Sequence, residues 1–253
     1  MSIKKVRGLV IRESEHGETN KRLTFFAKEY GKITITAIGA RKPKSKFLAS
    51  AQLFTYSDLV LYDGGNYLTV SQSDVIDNFY AIRRDFDSLV LACYFCKLAD
   101  KTVPYGTQAD DILHLLLLTL SALCKGNGTP PELIAAAFET KFLQLHGFTP
   151  ELNVCACGEI LRGQTRTPSN DPVADTPLNG EAPRIWFGEE GVACDNCRAA
   201  NSTRVTLAVL NAMEYEFGAN LSAVFKLRAD ESTIKMWRGA NKLLMRRHLD
   251  LDI

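Results

Sequence analysis

Leu23-Thr24-Phe25-Phe26-Ala27-Lys28-Glu29-Tyr30-Gly31-Lys32-Ile33-Thr34-Ile35-Thr36-Ala37-Ile38 decides the fold of the first third of this chain. Two runs rich in β-branched and aromatic residues flank Tyr30-Gly31, which reads as a tight turn. The second run alternates strictly and sets its isoleucines on one face, the signature of a half-buried strand. Working outward, Val6-Arg7-Gly8-Leu9-Val10-Ile11 reads as a preceding strand, turned at His16-Gly17-Glu18. Residues 53–62 read as a fourth strand, closed by the hairpin signal Asp63-Gly64-Gly65-Asn66 before Tyr67-Leu68-Thr69-Val70. About five strands in about 75 residues is the count and length of a small five-stranded barrel.

From Ile82 the period changes. Phe86, Leu89, Val90, Cys93 and Leu98 fall at helical spacing and read as a core stripe, stopped by Pro104-Tyr105-Gly106. Residues 109–125 predict a second, mostly apolar and therefore central helix, ended by Gly126-Asn127-Gly128. Pro130-Pro131 opens a third, running to about His146 with Gly147 as its stop. Residues 205–217 and 232–249 predict two more. No internal repeat or long low-complexity tract is visible.

Four cysteines punctuate the stretch 148–200. Cys155-Ala156-Cys157-Gly158 and Cys194-Asp195-Asn196-Cys197 are separated by 36 residues that include a loop with Pro168, Pro172, Pro177 and Pro183. Two short turns that each supply two thiolates meet the tetrahedral demand of Zn²⁺, and a four-thiolate site is closed, hence structural. The first pair has one intervening residue instead of two, and the gap exceeds the usual spacing of roughly 15–20. If either cysteine of that pair falls short, His146 is the nearest spare ligand. Cys93-x-x-Cys96 lies in an apolar helical stretch, and both residues read as core.

The 253 residues are 46% hydrophobic and 23% charged, as expected of a globular protein of one to three domains. The net charge of +1 conceals an asymmetry. Residues 1–47 hold 12 Lys and Arg against 4 Asp and Glu, so the remainder is net acidic. Lys21, Arg22, Lys28, Lys32, Arg41, Lys42, Lys44 and Lys46 gather around turns and strand ends. Arg41-Lys42-Pro43-Lys44-Ser45-Lys46 reads as a flexible arm that neutralises phosphates without reading bases. Phe25, Phe26, Tyr30 and Phe47 lie near it, and any exposed on the barrel offer bases a stacking surface. An ordinary solvated surface is the other reading of the same cations. Lys235, Arg238, Lys242, Arg246 and Arg247 share a face of the last helix, as a second basic surface or a solvated one.

Enzymatic motifs are missing. There is no G-x-x-x-x-G-K-[ST], no H-E-x-x-H and no G-x-S-x-G, and the four histidines are scattered. Gly39-Ala40-Arg41-Lys42-Pro43-Lys44-Ser45 lacks the second glycine of a phosphate loop and carries proline where backbone N–H groups must donate. No stretch of roughly 18 apolar residues suggests a membrane span. An odd cysteine count and an opening without a signal peptide predict reduced thiols in a cytoplasmic protein.

The order of parts resembles a known family. It is carried by Gly17-Glu18-Thr19, by residues 23–32, by Ala37-Ile38-Gly39-Ala40-Arg41-Lys42-Pro43-Lys44-Ser45-Lys46, by Phe138-Glu139-Thr140-Lys141-Phe142-Leu143, and by His146-Gly147-Phe148-Thr149-Pro150 leading into the cysteines. Over essentially the whole chain this resembles the bacterial RecO recombination mediators. Zinc-bearing members of that family show two residues between their first cysteines, where this chain shows one.

The resemblance implies an α+β multidomain protein. Residues 1–80 would form an OB-fold barrel and 81–150 the first part of a helical domain. Residues 151–200 would be an inserted zinc finger, with Cys155, Cys157, Cys194 and Cys197 as ligands, and 201–253 would complete the helices. It further implies non-enzymatic binding of single- and double-stranded DNA and annealing of complementary strands. RecR and RecF would be partners in loading RecA recombinase, with contact to the tail of single-strand-binding protein, in the cytoplasm at the nucleoid. The family's basic-loop role falls on Arg41, Lys42, Lys44 and Lys46, and its barrel-face role on Arg12, Lys21, Arg22 and Lys32. The readings from other classes are a zinc-stabilised scaffold that binds only proteins, and an RNA-binding barrel.

Overall fold

Alternation fixes the first element set. In a computed structural model, which describes residues 2–65, 67–126, 128–162 and 184–250, five strands form: β1 (Ser2–His16), β2 (Asn20–Ala27), β3 (Gly31–Ala37), β4 (Tyr56–Asp63) and β5 (Leu68–Asp77). They close in the order β1-β2-β3-β5-β4 and back to β1. This is the OB-fold arrangement. All neighbours are antiparallel except β3 and β5, whose parallel seam is two residue pairs long, Ile35 with Leu68 and Thr36 with Thr69. Every second residue of β2 and β3 (Leu23, Phe25, Ala27, Ile35, Ala37) joins Val6, Val10, Leu59, Leu61 and Val70 inside the barrel. Ile33 is only partly buried against this core, and Ile38, past the end of β3, is exposed. The three isoleucines therefore do not share one buried face.

Turns close one end of the barrel. After β3 the chain folds through consecutive turns with backbone bonds Lys42 N to Gly39 O, Ser45 N to Lys42 O and Leu48 N to Ser45 O. These seat Ala40, Phe47 and Ala51 in the core. The segment 41–46 is thus a folded cap, not the flexible arm that its lysines and proline suggest. Phe54 has φ 66, and β4 begins only at Tyr56, three residues later than the apolar run implies.

A 3₁₀ turn at Tyr80–Arg84 leads to α1 (Phe86–Thr102), N-capped by the Asp85 carboxylate accepting from Ser88 N, and then α2 (Asp110–Lys125). Leu91, Ala92, Phe95, Cys96, Leu98 and Ala99 form the buried face of α1. The stripe expected in the core is largely the opposite one. Phe86 is 77% exposed, Val90 and Cys93 are also exposed, and only Cys96 of the cysteine pair is core. α1 packs on β1, where Leu9 and its cross-strand partner Phe26 are fully buried outside the barrel interior. Gly31 lets the β2–β3 turn meet the α1–α2 loop. Its φ is +66, and a Cβ there would lie 1.9 Å from the carbonyl oxygen of Thr107. Gly31→Ala combines left-handed strain with a backbone clash, so it is expected to destabilise by about 3 kcal/mol. A lowered urea midpoint at unchanged slope reads this out, and an unshifted midpoint would remove the close approach.

The chain divides into two compact units, Met1–Pro131 and Glu132–Ile253. The boundary falls inside the 81–150 segment, so α1 and α2 group with the barrel. The second unit contains α3 (Pro131–Leu145), a three-stranded sheet, α4 (Leu207–Gly218) and α5 (Glu231–Leu249). The sheet consists of β6 (Ile185–Gly188), β7 (Gly191–Ala193) and β8 (Thr203–Val205), in the order β7-β6-β8. Between residues 133 and 143 every α3 residue is buried, so the helix enclosed on all sides is α3, not the apolar α2, which exposes Asp111 and His114. A buried polar chain ties α3 to α5. Trp237 Nε1 donates to Thr140 Oγ1 (2.8 Å), Thr140 Oγ1 to Asn241 Oδ1 (3.0 Å), and Asn241 Nδ2 to the Ala136 carbonyl (2.9 Å). Arg238 pairs with the wholly buried Glu139 (2.9 Å) and with Glu132, so it does not belong to an exposed basic face of α5. Pro168, Pro172, Pro177 and Pro183, with Asn66 and Asn127 of the expected turns, lie outside the described residues.

Candidate nucleic-acid interface and candidate metal centre

The basic residues of the first unit differ sharply in what they already hold. Lys32 is 4% exposed. Its ammonium pairs with the Asp100 carboxylate at 3.1 Å, donates to the Asp100 carbonyl and lies 4.4 Å from the Tyr105 ring centroid. It is an internal anchor between β3 and α1, not the DNA-facing cation expected from its neighbours. Arg12 stays largely exposed but reaches Asp100 (3.3 Å), Tyr105 Oη and Thr24 Oγ1 (both 3.1 Å). Lys21 pairs with Glu13 at 2.6 Å and donates to the Ala51 carbonyl at 3.1 Å.

Arg41 clamps two loops. Its guanidinium donates to the carbonyls of Gly17 (3.3 Å) and Glu18 (3.1 Å) and pairs with Glu15 at 2.9 Å, while its backbone N–H donates to Thr19 O at 2.9 Å. Gly39 N donates to Asn20 Oδ1 at 2.8 Å. The β1–β2 turn and the 38–46 segment therefore form one ridge. Lys46 donates to the Ser71 carbonyl at 3.0 Å and lies 4.8 Å from the Phe47 ring centroid. Arg22, Lys42 and Lys44 are exposed and make no ion pair among the described residues. Each of the three has charge to spare for a phosphate, as do the exposed Lys5 and Lys28 outside this ridge.

Of the aromatics close to the basic residues in sequence, Phe25, Phe26 and Phe47 are buried, and Tyr30, in the β2–β3 turn at the far end of β2 from the ridge, is 44% exposed. Tyr30 lines an open groove of about 530 Å³ with Lys5, Arg7, Lys28 and Asp58. Arg7 and Asp58 form a bidentate pair there, both bonds 2.7 Å, and the pairing holds the Asp58 carboxyl below its usual range. Acids and bases are interleaved in this groove, so it lacks the single-sign field that a polyanion needs. Sequence reasoning could not find it, because it joins β1, β4, β5 and the β2–β3 turn.

The second unit draws the cysteine pairs together. The Sγ atoms of Cys155, Cys157, Cys194 and Cys197 all lie within 4.8 Å of one another. Each pair sits on a tight turn, with Gly158 N donating to Cys155 O (2.8 Å) and Cys197 N to Cys194 O (3.2 Å). The Cys157–Cys194 sulfur separation is 3.8 Å. A tetrahedral Zn²⁺ with Zn–S of about 2.3 Å places its sulfurs about 3.8 Å apart, so the cluster fits the ion. The one-residue spacing of the first pair does not keep either sulfur out. His146 is not drawn in, since its Nδ1 engages the Phe142 carbonyl at 2.8 Å and its ring packs on Phe142. Backbone N–H groups of Cys157 and Cys194 hold the Cys155 thiol down at about 6, and the surrounding thiols, that of Cys157 foremost, push Cys197 up to about 12. Four sulfurs this close cannot all ionise unaided, and a divalent cation among them removes that conflict.

The three-stranded sheet that carries Cys194 was not foreseen. Its signal is Ile185-Trp186-Phe187-Gly188-Glu189-Glu190-Gly191-Val192, two short apolar runs around a Gly-bounded turn. Among the described residues no helix is long and apolar enough to cross a membrane.

Comparison with known proteins covers both units. The family model described as "Recombination protein O N terminal" matches residues 1–79, and "Recombination protein O C terminal" matches residues 83–253. A protein of Alkaliphilus metalliredigens named "DNA repair protein RecO" is 30% identical over 249 residues, covering 97% of this chain and 94% of that protein. One of the same name from Acetivibrio thermocellus is 28% identical over 253 residues, 99% and 93% of the respective chains. Another, from Shouchella clausii, is 33% identical over 195 residues, 77% and 69%.

Proposed function

The chain belongs to the recombination protein O family, and from that premise we propose that it is a non-enzymatic DNA-repair mediator that binds single- and double-stranded DNA and anneals complementary strands. The observation that carries this reading is the ridge on the OB barrel where Arg22, Lys42 and Lys44 stand exposed without an ion-pair partner among the described residues. Arg41 builds the ridge; Arg12, Lys21 and Lys46 add positive potential beside it. Cations held on a preformed ridge displace counterions from phosphates without reading bases. With two backbones screened at once, pairing of complementary strands proceeds downhill and needs no nucleotide hydrolysis.

In this reading residues 1–80 are the DNA-binding module, while the segments 81–150 and 201–253 contact proteins. RecR, RecF and the tail of single-strand-binding protein are the partners, and the protein works in the cytoplasm on strands awaiting recombinase. Zn²⁺ held by Cys155, Cys157, Cys194 and Cys197 stabilises the 151–200 segment. A closed four-thiolate site leaves no position for water, so its role is structural.

The test is annealing of complementary labelled strands, bare and coated with single-strand-binding protein, without nucleotide. Annealing in both states is expected. Lys42→Gln with Lys44→Gln should flatten the slope of log affinity against log salt on single strands by about 1.4, two contacts at about 0.7 each. An unchanged slope would take the ridge out of the mechanism. No annealing and no salt-sensitive binding would leave a protein-only scaffold, and tighter binding of RNA than DNA would leave an RNA-binding barrel.

A further inference from the structure

The sheet of the cysteine module has a second face. Ile185, Phe187, Val192 and Val205 are buried, and α5 packs against β6 and β8. On the opposite side Trp186 and Arg204 are direct cross-strand partners. Trp186 is only half buried, and its indole Nε1 donates to Asp195 Oδ1 at 2.7 Å, which fixes the ring. The Arg198 guanidinium lies over that ring, 4.3 Å from its centroid. Arg184, two positions before Trp186, is exposed, as are Arg198 and Arg204. None of the three arginines forms an ion pair among the described residues.

Among the described residues, the carboxylates beside this face already have partners. Asp195 holds the indole, Glu189 accepts from Asn201 Nδ2 at 2.9 Å, and Glu190 faces Arg247 at 3.6 Å. The buried core of the module lies on the other side of the sheet. An indole with a guanidinium over its ring, and further guanidinium groups alongside, matches an unpaired base next to its phosphates. Guanidinium forks bind phosphate oxygens bidentately. A duplex offers no free base face to such a stack.

We infer that this sheet face is a second binding site, specific for single-stranded DNA, in which a base extends the Trp186–Arg198 stack while Arg204 and Arg184 hold the flanking phosphates. The site lies in the unit that does not contain the barrel ridge. It rests on the reading that the protein meets DNA, and it goes beyond it by giving the cysteine module a DNA contact of its own.

Tryptophan emission tests it on the full, metal-loaded chain. The protein has two tryptophans, and Trp237 is 0% exposed, so quenching by oligothymidylate reports on Trp186. Saturable quenching is expected in the wild type and absent in Trp186→Phe. The surface variant Arg198→Gln/Arg204→Gln should bind single strands more weakly at 50 mM salt and flatten the salt slope by about 1.4, so that its deficit against wild type shrinks about sevenfold by 200 mM. Its affinity for blunt duplex should stay unchanged. Oligothymidylate that binds by anisotropy without changing the emission, together with a wild-type slope in the arginine variant, would overturn the second site and leave the barrel reading intact. Equal displacement of the oligonucleotide from Trp186 by polyglutamate would also overturn it, in favour of an acidic protein ligand. Failure of the wild type to bind any DNA would remove both readings together.

Discussion

Replacing Cys194 with serine is expected to abolish zinc binding at the four-thiol cluster and to loosen residues 151–162 from the sheet β6–β8, which they meet where Val192 N donates to the Glu151 carbonyl at 3.2 Å. Cys194 touches two of the other three cysteines of the cluster. It lies 3.8 Å from the Cys157 sulfur, and its backbone N–H donates to the Cys155 sulfur at 3.4 Å. The module around it is small. Its strands are four, three and three residues long, too short to hold a sheet without a further constraint. Metal binding to such sites supplies about 10–16 kcal/mol of apparent free energy at neutral pH, and that energy is folding energy. Wild-type protein should carry one equivalent of zinc and the variant only background. Trp186, which leans on Asp195 one residue beyond Cys194, should then shift its emission to the red. A wild-type zinc content below about a tenth of an equivalent would sink the assignment. Full zinc in the variant would place the ion on other ligands.

Asp100→Ala should be the most costly single change in the first unit. Asp100 faces two cations, Lys32 at 3.1 Å and Arg12 at 3.3 Å, and its side chain is 16% exposed. Lys32 is the more deeply buried partner. Removing the carboxylate leaves the ammonium with one backbone carbonyl and the Tyr105 ring, neither of which balances a full charge away from water. Breaking a buried pair from one side costs about 3–5 kcal/mol. Chemical denaturation of the intact chain reads this directly. Asp100→Leu combined with Lys32→Met should recover most of the loss, because replacing both partners removes the stranded charge. A loss under about 1 kcal/mol in Asp100→Ala would mean the ammonium is solvated after all.

The strands were legible because their signal is local. The period-two placement of Leu23, Phe25, Ala27, Ile35 and Ala37 inside the barrel follows from the pleat alone, and each flanking turn carries its own glycine. Several helix boundaries were legible for the same reason: Pro104, Gly126 and Pro131 mark ends in the sequence itself, whereas the Asp85 cap that starts α1 was not singled out. What stayed hidden depends on partners far along the chain. Lys32 looks like its neighbours Lys28 and Lys42, and only Asp100, 68 residues on, turns it from a surface cation into an anchor. The apolar stripe through Phe86, Leu89, Val90, Cys93 and Leu98, of which only Leu98 is buried, competes on α1 with another through Leu91, Phe95 and Ala99. Spacing cannot choose between two stripes on a helix that is hydrophobic on most sides, and the barrel chose the second. The convergence of the two cysteine pairs on one four-thiol site was legible from their turns and is what the fold forms; the one-residue spacing at Ala156, which argued against it, proves no obstacle.

The Arg41 clamp has a consequence for exchanging parts between relatives. Because the β1–β2 turn and the segment after β3 are joined through Gly17, Glu18, Thr19 and Asn20, neither can be grafted alone. An insertion in the first turn displaces the carbonyls that seat Arg41, and the lysines beyond it then lose their footing. Swaps that carry both loops, with Arg41 and Asn20 inside the same cassette, keep the lysines where this barrel presents them.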